Sequence, residues 1–107
     1  MSEKFFQIDE KTWVNPRFFQ PTENTIYNGE YFFITKIIEI GRKTPIYYIF
    51  EHNTNCIGEI KWYSPWRKFC FYPDTNTVWD NKCLTDIIQQ LDIINKQYKE
   101  KRLLKNE

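Results

Sequence analysis

At 107 residues the chain has the length of one domain, and two self-sufficient cores would not fit within it. Lys and Arg number 15 against 14 Asp and Glu, so the net charge is +1, which excludes a global field drawing the whole chain onto nucleic acid. Aromatic residues make up 19% and glycines number only 3, so the core must be built from large rings and isoleucines, a composition that favours strands.

Residues 1–28 contain Pro16, Pro21 and aromatic groups at Phe5-Phe6, Trp13 and Phe18-Phe19, and read as an irregular arm with one short strand. Asn28-Gly29 is a turn dipeptide, after which Tyr31 to Ile40 is a long β-favouring run. Gly41-Arg42-Lys43-Thr44-Pro45 closes a hairpin into Ile46 to Glu51, and His52-Asn53-Thr54-Asn55 turns the chain again. Ile57 to Pro73 then forms a second hairpin about Ser64-Pro65, with Tyr63 opposite Trp66, Trp62 opposite Arg67, Lys61 opposite Lys68 and Ile60 opposite Phe69. Sequential strands with short connections pair with their neighbours, and Val78-Trp79 adds a short fifth strand.

At Asp80 or Asn81, either of which is a suitable N-cap, the period changes. Leu84, Ile87, Ile88, Leu91, Ile94 and Tyr98 recur every three or four residues, which marks one apolar stripe on a helix over 80–103. The expected fold is α+β: a four- or five-stranded antiparallel meander over 29–79 with one C-terminal helix packed on one sheet face, in a single domain 1–107. The basic run Lys96, Lys99, Lys101, Arg102 and Lys105 reads as a solvated helix end, where cations complement the helix dipole.

Period-two alternation separates the faces of the Ile57–Pro73 hairpin. Gly58, Ile60, Trp62, Arg67, Phe69 and Phe71 form a mostly apolar face suited to the core, with Arg67 either lying on Trp62 in a structural cation–π contact or, its fork held by that ring, reaching outward to a phosphate or carboxylate. The other face carries Glu59, Lys61, Tyr63, Trp66, Lys68 and Cys70, and is both basic and aromatic. Lys61, Tyr63, Trp66, Arg67 and Lys68 are therefore the candidate binding residues. Rings of this kind stack on bases, ammonium groups meet phosphates, and the arm, if folded over this face, would bury both.

Catalytic and metal signatures are weak. His52 has no triad partners, Glu39, Glu51 and Glu59 are isolated on strands, and no glycine-rich phosphate loop occurs, so no enzymatic role is expected. His52 and Cys56 would supply half of a zinc site without a second pair, so no metal and no cofactor are expected. Cys56, Cys70 and Cys83 cannot all pair within the chain, and there is no secretory or membrane-length apolar run, which suits a reducing cytoplasm.

The strings GEIKWYSPWRKFCFYP and VWDNKCLTDI resemble a family of small uncharacterised proteins from bacteriophages and mobile elements. The resemblance covers residues 57–95 and is carried by Gly58, Ile60, Trp62, Tyr63, Trp66, Arg67, Phe69, Cys70, Phe71, Pro73, Cys83 and Leu84. It implies a phage protein made in the bacterial host cytoplasm, and it carries no chemistry with it. The sequence thus points to a phage accessory protein that acts by binding. A host or phage protein partner is favoured, because the near-neutral charge argues against a dedicated nucleic-acid protein; the alternative is single-stranded nucleic acid or a nucleotide on the basic aromatic face. No membrane association is expected, and the oligomeric state is left open.

Overall fold

The computed structural model describes residues 6–7, 13–14, 24–53 and 55–105. Two short strands, β1 (Phe6–Gln7) and β2 (Trp13–Val14), pair antiparallel with Phe6 opposite Val14. The rest of the expected arm, and its placement over a sheet face, lie outside the described residues. Five further strands form one open antiparallel sheet in chain order: β3 (Thr25–Asn28), β4 (Phe32–Ile37), β5 (Ile46–Glu51), β6 (Cys56–Tyr63) and β7 (Lys68–Pro73). A single helix, α1 (Asn81–Lys105), follows. The α+β meander with one C-terminal helix is therefore observed.

The fifth strand of this sheet is Thr25–Asn28, not Val78–Trp79. Val78 is exposed, while the Trp79 ring turns inward against Phe71 at 4.8 Å and Phe32 at 6.1 Å. Its indole N–H donates to Thr77 Oγ1 at 2.8 Å, so Trp79 closes the gap between sheet and helix rather than extending the ladder. The β3–β4 turn is also displaced. Gly29 N–H donates to the Phe32 carbonyl, which puts Glu30 and Tyr31 at the apex rather than Asn28-Gly29. Strand β4 stops at Ile37, three residues before the expected end, and leaves Ile38 and Ile40 exposed in the following loop. That loop turns at Gly41, whose φ of +86° is a conformation glycine adopts without steric cost.

Both sheet faces are apolar at the centre. Phe32, Ile34, Tyr47, Ile49, Ile60 and Phe69 meet Ile87 and Ile94 of α1 on one face. On the other face Phe33, Ile37, Ile46, Tyr48 and Phe50 form a second buried cluster. Tyr48 satisfies its hydroxyl there by donating to Glu39 Oε1 at 2.7 Å.

The helix begins at an Asp80 cap: Cys83 N–H donates to Asp80 Oδ1 at 2.8 Å, and Leu84 N–H to the Asp80 carbonyl. Its inner side is narrower than the stripe suggested. Ile87 and Ile94 are buried, Cys83, Leu91 and Tyr98 pack at the margin of the core, and Leu84 and Ile88 face outward. A 3.6-residue period lets only part of a six-residue stripe face a flat sheet. Asn95 locks the arrangement by a double bond to one residue of the edge strand: its Oδ1 accepts from Phe69 N–H at 2.8 Å and its Nδ2 donates to the Phe69 carbonyl at 3.1 Å.

Candidate functional site

The β6–β7 hairpin has a longer connection than its Ser64-Pro65 dipeptide suggests. Tyr63 pairs with Lys68, Trp62 with Phe69, Lys61 with Cys70 and Ile60 with Phe71, so β7 is displaced by two residues from the expected register. Pro65 has no N–H and a fixed φ, which suits the first turn of a 3-10 helix, and Ser64–Trp66 adopts one. Arg67 closes the turn in the left-handed region, φ 53° and ψ 48°, with its N–H donating to the Ser64 carbonyl at 3.2 Å. A two-residue displacement preserves side-chain alternation, so the face assignment of the strand residues survives although each predicted pair is wrong.

Trp66 and Arg67 leave the ladder altogether. The expected stacking of Arg67 on Trp62 is replaced: Trp62 lies opposite Phe69, with its ring 5.4 Å from Phe69 and 4.8 Å from Tyr98. Arg67 instead reaches a cleft of about 610 Å³ beside the C-terminal half of α1, where Lys68, Asp92, Asn95, Lys99 and Arg102 also contribute.

The structure brings together Lys61, Tyr63, Trp66 and Lys68 on the face away from the helix, and adds Glu59 and Tyr72. Lys61 Nζ lies 2.8 Å from Glu59 Oε1 and 4.6 Å from the Tyr72 ring centre, so its charge is matched locally. Tyr63 and Trp66 meet perpendicularly, 88° at 5.1 Å, and Lys68 Nζ lies 5.8 Å from the Trp66 ring. Trp66 is nevertheless 65% exposed. The result is an open indole held by its neighbours at the hairpin tip.

A second cleft, of about 480 Å³, lies on the other side of Tyr98 and is bordered by Lys36, Lys43 and Lys101. The β4–β5 loop, the β6–β7 turn and the last three turns of the helix thus share one end of the molecule. That end holds Lys36 near the end of β4, Arg42 and Lys43 from the loop, Arg67 from the turn, Lys68 at the start of β7, and Lys96, Lys99, Lys101 and Arg102 from the helix. Glu39, Asp92 and Glu100 are the carboxylates there among the described residues. The opposite end, at the helix start and the β3–β4 turn, carries Glu30, Glu51, Asp74, Asp80 and Asp86 with Lys82. A nearly neutral total conceals a strong charge separation.

The helix cations were missed as site residues because the sequence shows them as a solvated terminus. No spacing rule brings Lys99 and Arg102 beside Arg67, some 30 positions earlier; the docking of the helix, through Ile94 and Tyr98 on the sheet and the Asn95 bonds to Phe69, sets that meeting.

Other ionisable groups are engaged structurally. His52 Nε2 donates to the Gly29 carbonyl at 2.7 Å, and the ring lies against Phe33. The Tyr27 hydroxyl is pushed above its usual value by burial and by its bond to Asp86, which also meets Lys82 at 3.3 Å. Burial likewise raises the Cys83 thiol, and Cys56, Cys70 and Cys83 are each half-buried. Among the described residues no group of three His, Cys, Asp or Glu is placed to hold a metal, and no helix is long and apolar enough to cross a membrane.

Over 76 residues the chain is 31% identical to the "Uncharacterized 9.3 kDa protein" of Acholeplasma phage L2. That alignment takes in 70% of this chain and 97% of the phage protein. No family model and no solved structure matches the chain.

Proposed function

The chain belongs to the family of this small Acholeplasma phage L2 protein, and from that premise we propose that it is a phage accessory factor that acts by binding nucleic acid at its basic end. The observation that supports this reading is the gathering of seven cations around the two clefts beside Tyr98, with Lys36, Lys43 and Lys101 on one and Arg67, Lys68, Lys99 and Arg102 on the other. Phosphates neutralised by such groups release condensed counterions, so affinity would come from the pole whatever the total charge of the chain. The acidic opposite end would orient the approaching protein, turning its basic end to the ligand.

The test is fluorescence anisotropy of labelled single-stranded and duplex oligonucleotides at 50 to 200 mM salt. With about four phosphates engaged on a single strand, log affinity should fall against log salt with a slope near −3. Absence of binding at low salt, or affinity indifferent to salt, would sink the proposal.

A protein partner is the second reading, and the exposure of Trp66 favours it, since a large ring held open is a typical interface anchor. A chain that binds no oligonucleotide at low salt but captures a host protein, and loses that capture on Trp66→Ala, would support that reading in place of the first.

A further inference from the structure

We infer that the Ser64–Arg67 turn selects single strands, with Trp66 stacking on one base and Arg67 taking the adjoining phosphate. This rests on the nucleic-acid reading and adds the class of substrate to it. Two neighbouring residues point to different tasks. The Trp66 ring sits with Tyr63 on the sheet face away from the helix, whereas Arg67 borders the cleft with Lys99 and Arg102, and Lys68 borders both, its Nζ 5.8 Å from the Trp66 ring. Strand alternation would already put two neighbours on opposite sides; the 3-10 turn and the left-handed backbone at Arg67 lift this pair out of the ladder to the hairpin tip, where neither has a residue opposite it.

The fit is to a single nucleotide step. In a flexible single strand a base can swing away from its own phosphate, so the phosphate enters the cleft while the base lies on the indole. In a duplex the bases are paired and stacked within the helix, so their flat faces cannot reach an exposed ring, and only phosphates can meet the cations. Trp66 therefore adds affinity for one form and not for the other.

Backbone cost points the same way. Among the described residues only Arg67 and Asn76 are non-glycine residues at positive φ. Asparagine takes that conformation readily, whereas a long arginine side chain is held there at a steric cost. Glycine would serve the turn better, so what the arginine contributes is its guanidinium fork, which matches phosphate oxygens in pairs.

The experiment uses the full chain, a fluorescein-labelled oligothymidylate and a duplex of equal length, measured at three salt concentrations. Trp66→Ala should weaken the single strand about 10-fold with an unchanged salt slope and leave the duplex alone, and Trp66→Phe should restore part of the loss. Arg67→Gly should weaken both forms and reduce the single-strand slope by about 0.7, with Arg67→Lys intermediate. Circular dichroism of each variant establishes that it is folded. If Trp66→Ala weakens both forms equally, or neither, the inference is overturned while the basic pole stands; if the unaltered chain binds neither oligonucleotide, both readings fall.

Discussion

Arg67, Asp80 and Asn95 each perform a single definable task, and each task can be removed alone. Arg67 occupies a left-handed backbone position that costs a side-chain-bearing residue about 1–2 kcal/mol, while glycine there costs roughly 0.5–1 kcal/mol of extra unfolded-state entropy. Arg67→Gly is expected to raise stability by about 0.5 kcal/mol in urea denaturation, even as it weakens oligonucleotide binding. A fall in stability would mean that Arg67 supports the fold through its side chain. At Asp80 the Cys83 backbone N–H bond holds the carboxyl below its usual range. A carboxyl lowered in the folded state stabilises above its unfolded value of 3.8, and that stabilisation is lost as pH falls through the lower folded value. Asp80→Asn keeps the capping acceptor and does not titrate, so it should flatten the acid limb of stability below about pH 4 with little change near neutrality.

At the scale of elements, Asn95 decides where the helix lies. The edge strand β7 presents the Phe69 N–H and carbonyl away from β6, and the Asn95 amide satisfies both as a neighbouring strand would. Asn95→Ala should cost roughly 2 kcal/mol, the sum of two typical bonds, and should speed hydrogen exchange at the Phe69 amide. Unchanged exchange there would show that packing alone holds the edge. Strand β4, by contrast, was readable: Phe32–Ile37 lies within the predicted run because β-branched and aromatic residues fill both of its buried faces. The β6–β7 register was not readable, since a 3-10 turn and a two-residue turn are both compatible with Ser-Pro, and the alternation rule accepts any even displacement. The strand Thr25–Asn28 was not placed in the sheet because its three strand-favouring residues, Thr25, Ile26 and Tyr27, are too short a run to stand out from the irregular arm, and pairing with β4 is what holds it.

At the scale of the whole molecule, charge is distributed by the fold rather than by the composition. The double variant Lys99→Glu with Arg102→Glu leaves both helix-end residues exposed and should reduce oligonucleotide affinity by at least about 10-fold at 100 mM salt. The same pair of changes should leave thermal unfolding nearly unaltered, because surface ion pairs contribute little to stability. Intact affinity in a folded double variant would place the ligand elsewhere on the molecule.

The sequence by itself determined the class of fold, since hydrophobic pattern is a local property: short continuous apolar runs for β4 and β5, which are buried on both faces, alternation by two along β6 and β7, then a period near 3.6 from the Asp80 cap onward. It also singled out Lys61, Tyr63, Trp66 and Lys68 as residues of one face, because displacement by two residues leaves faces intact. Only the tertiary structure sent Arg67 across to Lys99 and Arg102 and set the Asn95 amide on the Phe69 backbone. Those meetings depend on turn geometry and on where a helix docks, and neither is encoded in the period of a strand or the sum of its charges.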